Sequence, residues 1–269
     1  MEITLNNGIK IPIIGYGTYQ AKSGNEAYNG VRDALDFGYK HIDTAAIYGN
    51  EQDVGRALKD SSIERDSIFV TTKLWNSDQG YESALKAFDK SRKKLDLDYI
   101  DLYLIHWPQS NTRLKSWEAL EKLYSENKIK AIGVSNFTII HLKELLDNYD
   151  IVPTLNQVEF SPFLNQKELH TFCKDNNIEI EAYSPLVKAQ KFGNKTLSNI
   201  AKKNNKTEAQ ILLRWNIELN MITLPKSVTS TRIKENINIF DFQLSNEDMS
   251  TLEKLNENYR TSWDPTNIV

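Results

Sequence analysis

Residues Gly38 to Gly55 read GYKHIDTAAIYGNEQDVG and have the layout of a short strand, a loop and the start of a helix. Asp43 ends a short apolar run, the phenol of Tyr48 follows in the loop, and Gly49 is expected to open the helix. β/α enzymes hold their catalytic groups at this carboxyl end of a strand. An Asp after a strand is more often a helix N-cap, and a Tyr in such a loop more often packs, so the rest of the chain has to decide.

Apolar, β-branched runs recur along the chain, each followed by a polar loop and a helical pattern of apolar residues. The runs are Ile14–Thr18, the residues around Ile42, Ile68–Thr72, Ile100–Ile105, Ile129–Val134, Thr154–Phe160, Ile178–Tyr183 and Met221–Leu224. One such strand and helix about every 30 residues predicts a (β/α)8 TIM barrel. An Asn7-Gly8 turn between Ile3–Leu5 and Ile9–Ile11 predicts a hairpin that closes the bottom of the barrel.

A doubly wound sheet of the Rossmann type is the alternative arrangement of these strands and helices. That fold would carry G-x-G-x-x-G between a strand and a helix, and the nearest sequence here is GYGTYQ, from Gly15 to Gln20. The barrel is therefore preferred. Residues 1–269 are expected to form one domain, because a barrel of this type needs about 250 residues.

Composition and charge argue against several kinds of partner. The 33 basic and 36 acidic residues give a formal net charge of −3, without a basic footprint for nucleic acid or a polybasic membrane anchor. Cys173 is the single cysteine, and the first residues, MEITLNNGIKIP, lack the regions of a signal peptide. The four histidines show no close ligand spacing. We therefore expect a cytoplasmic protein without a metal site, and a monomer.

Polar side chains follow the carboxyl end of every predicted strand. They are Gly17-Thr18-Tyr19, Asp43, Lys73, His106, Ser135-Asn136, Gln157, Tyr183-Ser184 and Lys226-Ser227. In a barrel these positions converge on one mouth and line one pocket. Strand ends are commonly polar, but an Asp, a Lys and a His from three successive strands, with a Tyr nearby, have complementary chemistry.

Tyr48 is the candidate proton donor, although a phenol with an unperturbed pKa of about 10 is a weak acid near neutral pH. Lys73 is the cation that would stabilise the phenolate, and Asp43 is the carboxylate that would keep this lysine charged. His106, in LYLIHWP, would add a neutral donor to the same substrate oxygen. A buried Asp–Lys ion pair and a core histidine are the alternatives, and the four residues together favour catalysis.

The chain resembles the aldo-keto reductase family over nearly its whole length. The opening stretch resembles that family's leading signature, with Lys40 where an Arg is usual, and KIKAIGVSNF (Lys128–Phe137) and LPKSVTSTRIKEN (Leu224–Asn236) resemble the other two. The resemblance implies a (β/α)8 barrel that binds an extended nicotinamide cofactor. It also implies a catalytic tetrad, which maps onto Asp43, Tyr48, Lys73 and His106. The short carboxyl tail is similar to that of bacterial members, of the diketogulonate or glyoxal reductase type, that reduce small aldehydes, dicarbonyls such as methylglyoxal, or keto-sugar acids.

The same resemblance implies a set of residues that bind NADPH. They are Thr18; Ser135, Asn136 and Gln157 at the carboxamide; Tyr183 on the nicotinamide ring; Ser184 and Leu186 near the pyrophosphate; and Lys226, Ser227, Arg232, Glu235 and Asn236 at the adenosine end. For Lys226 and Arg232 a physical argument also supports phosphate binding, because two cations beside the start of a helix suit a 2′-phosphate. NADPH is therefore the expected cofactor.

Tyr19, Trp75, His106 and Trp107 flank the catalytic strand ends and are expected to line the substrate pocket. A small-molecule carbonyl would place its oxygen between Tyr48 and His106, and would receive hydride from the cofactor as Tyr48 delivers a proton. The expected activity is NADPH-dependent reduction of aldehydes and ketones to alcohols.

Two functions of other classes remain open. The family includes NADPH-binding regulatory β-subunits of potassium channels, although this sequence has no added interaction segment. A barrel aldolase would form a Schiff base on Lys73, but Asp43 should keep that amine charged and non-nucleophilic. Turnover with NADPH would separate an enzyme from a regulatory subunit, and borohydride trapping would reveal an aldolase.

Overall fold

Parallel strands form the centre of the computed structural model, which describes residues 1–268. In chain order the strands are β1 (Glu2–Thr4), β2 (Lys10–Pro12), β3 (Tyr16–Gly17), β4 (His41–Asp43), β5 (Phe69–Leu74), β6 (Ile100–Ile105), β7 (Ile129–Ser135), β8 (Leu155–Glu159), β9 (Glu179–Tyr183) and β10 (Ile222–Leu224). From β3 to β10 each strand pairs in parallel with the next. The sheet closes on itself because Gly15 N–H donates to the Thr223 carbonyl and Thr223 N–H donates to that of Ile13, both over 3.0 Å.

Helices surround this barrel and connect its strands. They are α1 (Asn25–Asp36), α2 (Glu51–Lys59), α3 (Tyr81–Leu95), α4 (Arg113–Ser125), α5 (Ile139–Asn148), α6 (Lys167–Asp175), α7 (Lys195–Lys203), α8 (Glu208–Glu218), α9 (Ser230–Ile237) and α10 (Asn246–Glu253). Each barrel strand is followed by a helix, and α7 and α10 are additional. The predicted (β/α)8 barrel is confirmed.

The hairpin of β1 and β2 covers the amino-terminal end of the barrel. Leu5 N–H donates to the Ile9 carbonyl over 2.8 Å, and Gly8 takes the left-handed conformation, with φ 85°, that this three-residue turn requires. Asn6 Nδ2 donates to the carbonyl of Pro153 and Asn7 Nδ2 to that of Lys130, each over 3.0 Å. Because these carbonyls lie near the starts of β8 and β7, the hairpin is tied to the bottom of the barrel, as the sequence predicts.

The loop that follows β4 differs in one detail from expectation. Gly49 does not open α2, since the helix begins at Glu51. Ala46–Tyr48 form a single 3-10 turn, and Gly49 ends it with φ 72°, which glycine adopts without a Cβ clash. This turn places Tyr48 at the mouth of the barrel. In the described part of the chain no helix combines the length and the apolar character of a membrane span.

Candidate active site

The carboxyl ends of the barrel strands open into a cavity of about 820 Å³. Of the residues predicted for the site, the following line it: Tyr19, Asp43, Tyr48, Trp75, His106, Trp107, Ser135, Asn136, Gln157, Tyr183, Ser184, Leu186 and Lys226. The structure thus brings together groups from strands that are distant in sequence. Within residues 1–268 no cluster of His, Cys, Asp and Glu has the arrangement of a metal site.

Lys73 and Asp43 form a buried ion pair at the floor of this cavity. Lys73 Nζ lies 2.7 and 2.8 Å from the two carboxylate oxygens of Asp43 and donates to the Thr44 carbonyl over 2.9 Å. Burial raises the pKa of Asp43, and the Lys73 ammonium and the Gln157 amide oppose that rise. Because both carboxylate oxygens contact the ammonium, Asp43 is the anionic partner in this pair.

The Tyr48 hydroxyl is the next neighbour of the Lys73 ammonium, at 3.4 Å. The ring also contacts Tyr19 and His106, with ring centroids 5.1 and 5.7 Å away. Burial raises the pKa of Tyr48 well above its ordinary value, and the negative charge of Asp43 adds to this rise. The phenol is therefore protonated near neutral pH, which is the state that a proton donor requires. The nearby Lys73 ammonium does not bring the pKa of Tyr48 below its ordinary value, because burial is the largest effect.

His106 lies between Tyr48 and Trp75, and its ring makes an edge-on contact with both, at interplanar angles of 76°. Burial and the nearby Lys73 ammonium lower its pKa well below the ordinary value, so the imidazole is neutral near pH 7. Nδ1 is buried without a hydrogen-bond partner in the described structure, which leaves Nε2 as the ring nitrogen that can meet a ligand. A neutral imidazole donates one hydrogen bond, which suits the orientation of a carbonyl oxygen.

Amide and hydroxyl groups form a hydrogen-bonded set on the β7 and β8 side of the cavity. Asn136 Nδ2 donates to the His106 carbonyl over 2.9 Å, and the Tyr183 hydroxyl donates to Asn136 Oδ1 over 2.8 Å. The Ser135 hydroxyl donates to the Gln157 carbonyl over 2.8 Å. Gln157 Nε2 donates to two carboxyl groups, which leaves Oε1 as the free polar atom of this amide. These hydrogen bonds fix the positions of the four side chains.

The residues predicted to bind the adenosine end of the cofactor do not all line the cavity. Lys226 lines the cavity and donates to the Gln20 carbonyl over 3.2 Å. Arg232 is exposed near the start of α9, and its side chain has no hydrogen-bond or ion-pair partner in the described structure. Glu235 accepts a hydrogen bond of 2.8 Å from the Thr207 hydroxyl. Ser227, Arg232, Glu235 and Asn236 lie outside the cavity lining. The two cations therefore bracket the start of α9, one inside the cavity and one outside.

Thr18 is the predicted cofactor residue whose side chain is least accessible. It is fully buried, and its hydroxyl faces Asn50 Oδ1 at 3.5 Å rather than the cavity. Asn50 Nδ2 in turn donates to the Thr18 carbonyl over 3.0 Å. The geometry gives Thr18 a role in holding the loop after β3 against the start of α2.

Sequence reasoning missed the part of the lining that comes from the end of the chain. The segment from 254 to 268, called the tail below, contributes Arg260, Thr261, Ser262 and Trp263. Gln20, Ile47 and Lys188 are further lining residues that were not predicted. The Trp263 ring lies 5.6 Å from that of Trp107. An exposed tryptophan in the terminal segment was the available signal, but the sequence does not show where the segment lies.

The buried carboxylate of Glu159, at the end of β8, holds the tail in place. Its Oε1 accepts hydrogen bonds of 2.6 Å from Thr261 N–H and 2.5 Å from the Thr261 hydroxyl, and Oε2 accepts one of 3.1 Å from Ser262 N–H. Lys188 Nζ donates to the Thr261 carbonyl over 2.6 Å from the opposite side. The position of Trp263 over the cavity therefore depends on a strand-end carboxylate.

Comparison with known proteins gives consistent results. The chain is 49% identical to glyoxal reductase of Bacillus subtilis (strain 168), over 99% of this chain and 97% of the relative. It is 41% identical to methylglyoxal reductase DkgA of Escherichia coli (strain K12), over 98% and 96%.

Solved structures are similar in fold as well as in sequence. An aldo-keto reductase from a Medee basin deep-sea metagenome library has a TM-score of 0.97, with 50% identity over 99% of both chains. A Bombyx mori aldo-keto reductase in complex with NADP has a TM-score of 0.90, with 36% identity over 97% of this chain and 94% of that one. The family model for the aldo/keto reductase family matches residues 13–257. The chain belongs to the aldo/keto reductase family.

Proposed function

We propose that the protein is an NADPH-dependent reductase that converts aldehydes and ketones to alcohols. The observation that carries this proposal is the position of the Tyr48 hydroxyl, which lies beside the Lys73–Asp43 pair and the His106 ring at the cavity. The similarity to glyoxal and methylglyoxal reductases supports small aldehydes and dicarbonyls as the substrate class, and keto-sugar acids are the further class that we propose.

The cavity offers groups for the two ends of NADPH. Gln157 Nε2 donates to Asp43 and Glu181 in the barrel interior, so Oε1 of this amide is available to accept a hydrogen bond from a carboxamide. Ser135 and Asn136 would complete that carboxamide site, and the Tyr183 ring would stack on the nicotinamide. Lys226 has only a backbone partner and burial lowers its pKa, so a phosphate would restore the stability of its charged form. When bound, NADPH supplies the hydride that reaches the carbonyl carbon.

The remaining cofactor residues have smaller roles in this proposal. Ser184 and Leu186 would contact the pyrophosphate from the loop after β9. Ser227, Arg232, Glu235 and Asn236 would meet the adenosine end from outside the cavity, and Thr18 would support the site through Asn50. Among these residues, Arg232 alone could add a second positive charge for a 2′-phosphate.

The chain's own residues then move one proton and exclude water. Tyr48 donates its proton to the carbonyl oxygen as the carbon receives hydride, and an alkoxide is far more basic than a phenolate, so the transfer is downhill. His106 donates a hydrogen bond from its neutral ring and orients the same oxygen. Tyr19, Trp75 and Trp107 form an apolar wall around the substrate. We further propose that residues 1–269 act as one domain, as a monomer in the cytoplasm.

The test is a screen of carbonyl compounds with NADPH, following the absorbance of the reduced nicotinamide. Oxidation of NADPH with glyoxal or methylglyoxal, together with formation of the matching alcohol, is the expected result. Tight NADPH binding without turnover on any carbonyl would instead support a regulatory subunit. A Lys73 adduct trapped by borohydride would support an aldolase, which the bonds from Lys73 Nζ to Asp43 and Thr44 oppose.

A further inference from the structure

A second group of buried ionisable side chains lies inside the barrel next to Asp43. Glu181 on β9 and His41 on β4 are both fully buried. Gln157 Nε2 donates to Glu181 Oε2 over 2.6 Å and to Asp43 Oδ2 over 2.8 Å. One amide nitrogen thus connects two carboxyl groups, and one of these two also binds Lys73.

The charges in this group do not balance if both carboxyl groups are ionised. Lys73 supplies one positive charge, and its short contacts of 2.7 and 2.8 Å are with Asp43. An additional carboxylate without its own cation is costly in a dry interior, so a buried acid in that position tends to keep its proton. Since Asp43 holds the ammonium, Glu181 is the carboxyl group that carries the extra proton.

Two buried atoms without hydrogen-bond partners lie where this proton would be shared. Glu181 Oε1 and His41 Nδ1 are both buried without a hydrogen-bond partner, and they are 3.7 Å apart. His41 Nε2 is 3.0 Å from the Thr71 hydroxyl, which suits an imidazole that has its proton on Nε2 and an open lone pair on Nδ1. A proton on Glu181 Oε1 would supply a donor to that lone pair after a small closure of the gap.

The electrostatics of the surrounding groups agree with this arrangement. Burial, followed by the negative charge of Asp43, raises the pKa of Glu181 to about 8. Burial and the Lys73 ammonium lower the pKa of His41 to about 3. The ionisable groups that face Glu181 are Asp43 and His41 from β4, Lys73 from β5, and Tyr48 from the loop after β4. The pair therefore holds a single proton near pH 7.

We propose that Glu181 is a positioning residue for the carbonyl reduction, held as a neutral carboxylic acid that donates to His41 Nδ1 and accepts from Gln157 Nε2. In this state it fixes the Gln157 amide with Oε1 available to the cofactor, and it leaves Lys73 and Asp43 as the charged pair beside Tyr48. Ionisation of Glu181 would place a second negative charge near the phenol, which makes Tyr48 a weaker acid. This inference rests on the proposed reductase function.

The first test reads the proton directly and needs no turnover. Infrared difference spectra between the wild type and Glu181→Gln should show the carbonyl stretch of a protonated carboxylic acid at pH 7. The band should disappear as the pH rises beyond about 8, where Glu181 ionises. A carboxylate signal from Glu181 at pH 6 to 7 would show that Glu181 is ionised in this range, and the proposal would then be overturned.

The second test separates positioning from a general structural role. Glu181→Gln keeps an acceptor for Gln157 and a donor for His41, whereas Glu181→Leu removes both. In a fluorescence titration, Glu181→Leu should bind NADPH roughly three- to tenfold more weakly than Glu181→Gln, the equivalent of one neutral hydrogen bond. Equal affinities of these two variants would contradict the positioning role.

The third test follows the rate of carbonyl reduction against pH. The ratio of the wild-type kcat to that of Glu181→Gln should fall as the pH rises through about 8, because only the wild type gains a negative charge near Tyr48. Superimposable profiles would overturn the proposal. If neither protein reduces any carbonyl, the reductase function fails, while the infrared and NADPH titrations still decide the state of Glu181.

Discussion

The ammonium of Lys73 lies 2.7 and 2.8 Å from the carboxylate oxygens of Asp43, but 3.4 Å from the hydroxyl of Tyr48. The positive charge therefore interacts mainly with Asp43. The pKa of the Tyr48 phenol stays raised because burial is the largest effect on it. Burial and the negative charge of Asp43 together keep the phenol protonated near neutral pH. In the proposed reduction, Asp43 would hold the Lys73 ammonium next to the hydroxyl, where it would stabilise the phenolate left after proton transfer.

Replacement of Tyr48 by Phe should abolish carbonyl reduction and leave NADPH binding nearly unchanged. The ring keeps its contacts with Tyr19 and His106, and only the donor is lost. Loss of general acid catalysis costs about 10²- to 10⁴-fold in rate. Steady-state turnover and a fluorescence titration with NADPH check the two halves of this prediction. Activity within tenfold of the wild type would remove Tyr48 as the acid.

Lys73→Met should lose activity and also destabilise the fold. The change leaves the Asp43 carboxylate buried with the Gln157 amide but without a cation. Breaking a buried pair in this way costs about 3–5 kcal/mol. Urea unfolding at pH 7 measures that loss, and stopped-flow turnover measures the activity.

The double variant Asp43→Asn with Lys73→Met is the matched control. It removes both charges, so much of the lost stability should return while carbonyl reduction stays absent. Full activity of the double variant would show that the ion pair serves the fold alone. Stability no higher than that of the single variant would contradict the view that an uncompensated Asp43 is the cause of the loss.

The double variant Lys226→Ala with Arg232→Ala should lose affinity for NADPH far more than for NADH. Each charge-assisted hydrogen bond to the 2′-phosphate contributes roughly 1.5–3 kcal/mol, which predicts a preference for NADPH of about tenfold or more in the wild type. Added salt should reduce that preference, because Arg232 is exposed.

Lys234→Ala is the control for this pair, since Lys234 is an exposed cation on the same helix, α9. It should leave the ratio of the two affinities unchanged. Fluorescence titrations of both cofactors decide the outcome. Equal losses of NADH and NADPH would mean that Lys226 and Arg232 support the fold or the adenine rather than the phosphate.

Glu159→Gln should loosen the tail and raise the KM for carbonyl substrates while the Kd for NADPH changes little. An amide nitrogen cannot accept a hydrogen bond, so at least one of the contacts to Thr261 and Ser262 must be lost. Limited proteolysis should then cut the tail faster. Glu247→Gln, an exposed residue on α10, is the control. An unchanged KM in a variant with a loosened tail would show that the tail does not help to bind the substrate.

Glu181 and His41 should change the free energy of unfolding with pH in opposite directions. The folded state raises the pKa of Glu181 from 4.5 to about 8, so this group contributes stability below pH 4.5 that is lost as the pH rises to about 8. The pKa of His41 falls from 6.5 to about 3, so its contribution is present above pH 6.5 and is lost as the pH falls through about 3. Between pH 4.5 and 6.5 the effects of the two groups on the pH dependence of stability cancel.

Between pH 6.5 and 8 Glu181 therefore acts without compensation from His41. In this window the wild type should lose about 1.4 kcal/mol per pH unit relative to Glu181→Gln. Urea unfolding of both proteins across this range measures the difference. Parallel stability curves would contradict the assignment of the proton to Glu181.

The barrel, the hairpin and the polar residues at the strand ends could be predicted from the amino-acid sequence. Short β-branched runs and helical periodicity are local signals, and the closure of a barrel forces strand ends such as Asp43 and His106 onto one mouth. Gly49 shows the limit of the local signals, since the pattern located the turn but not the first residue of α2.

The groups that meet across the barrel and over its mouth could be identified only from the three-dimensional fold. The alternation of β9 does not reveal that Glu181 faces His41 and Gln157, because a carboxylate in a strand can equally face solvent. The bond of Glu159 to Thr261 joins segments far apart in sequence, and its geometry depends on the path of the whole tail. Burial, which sets the pKa values of Glu181 and His106, is a property of all the surrounding elements together.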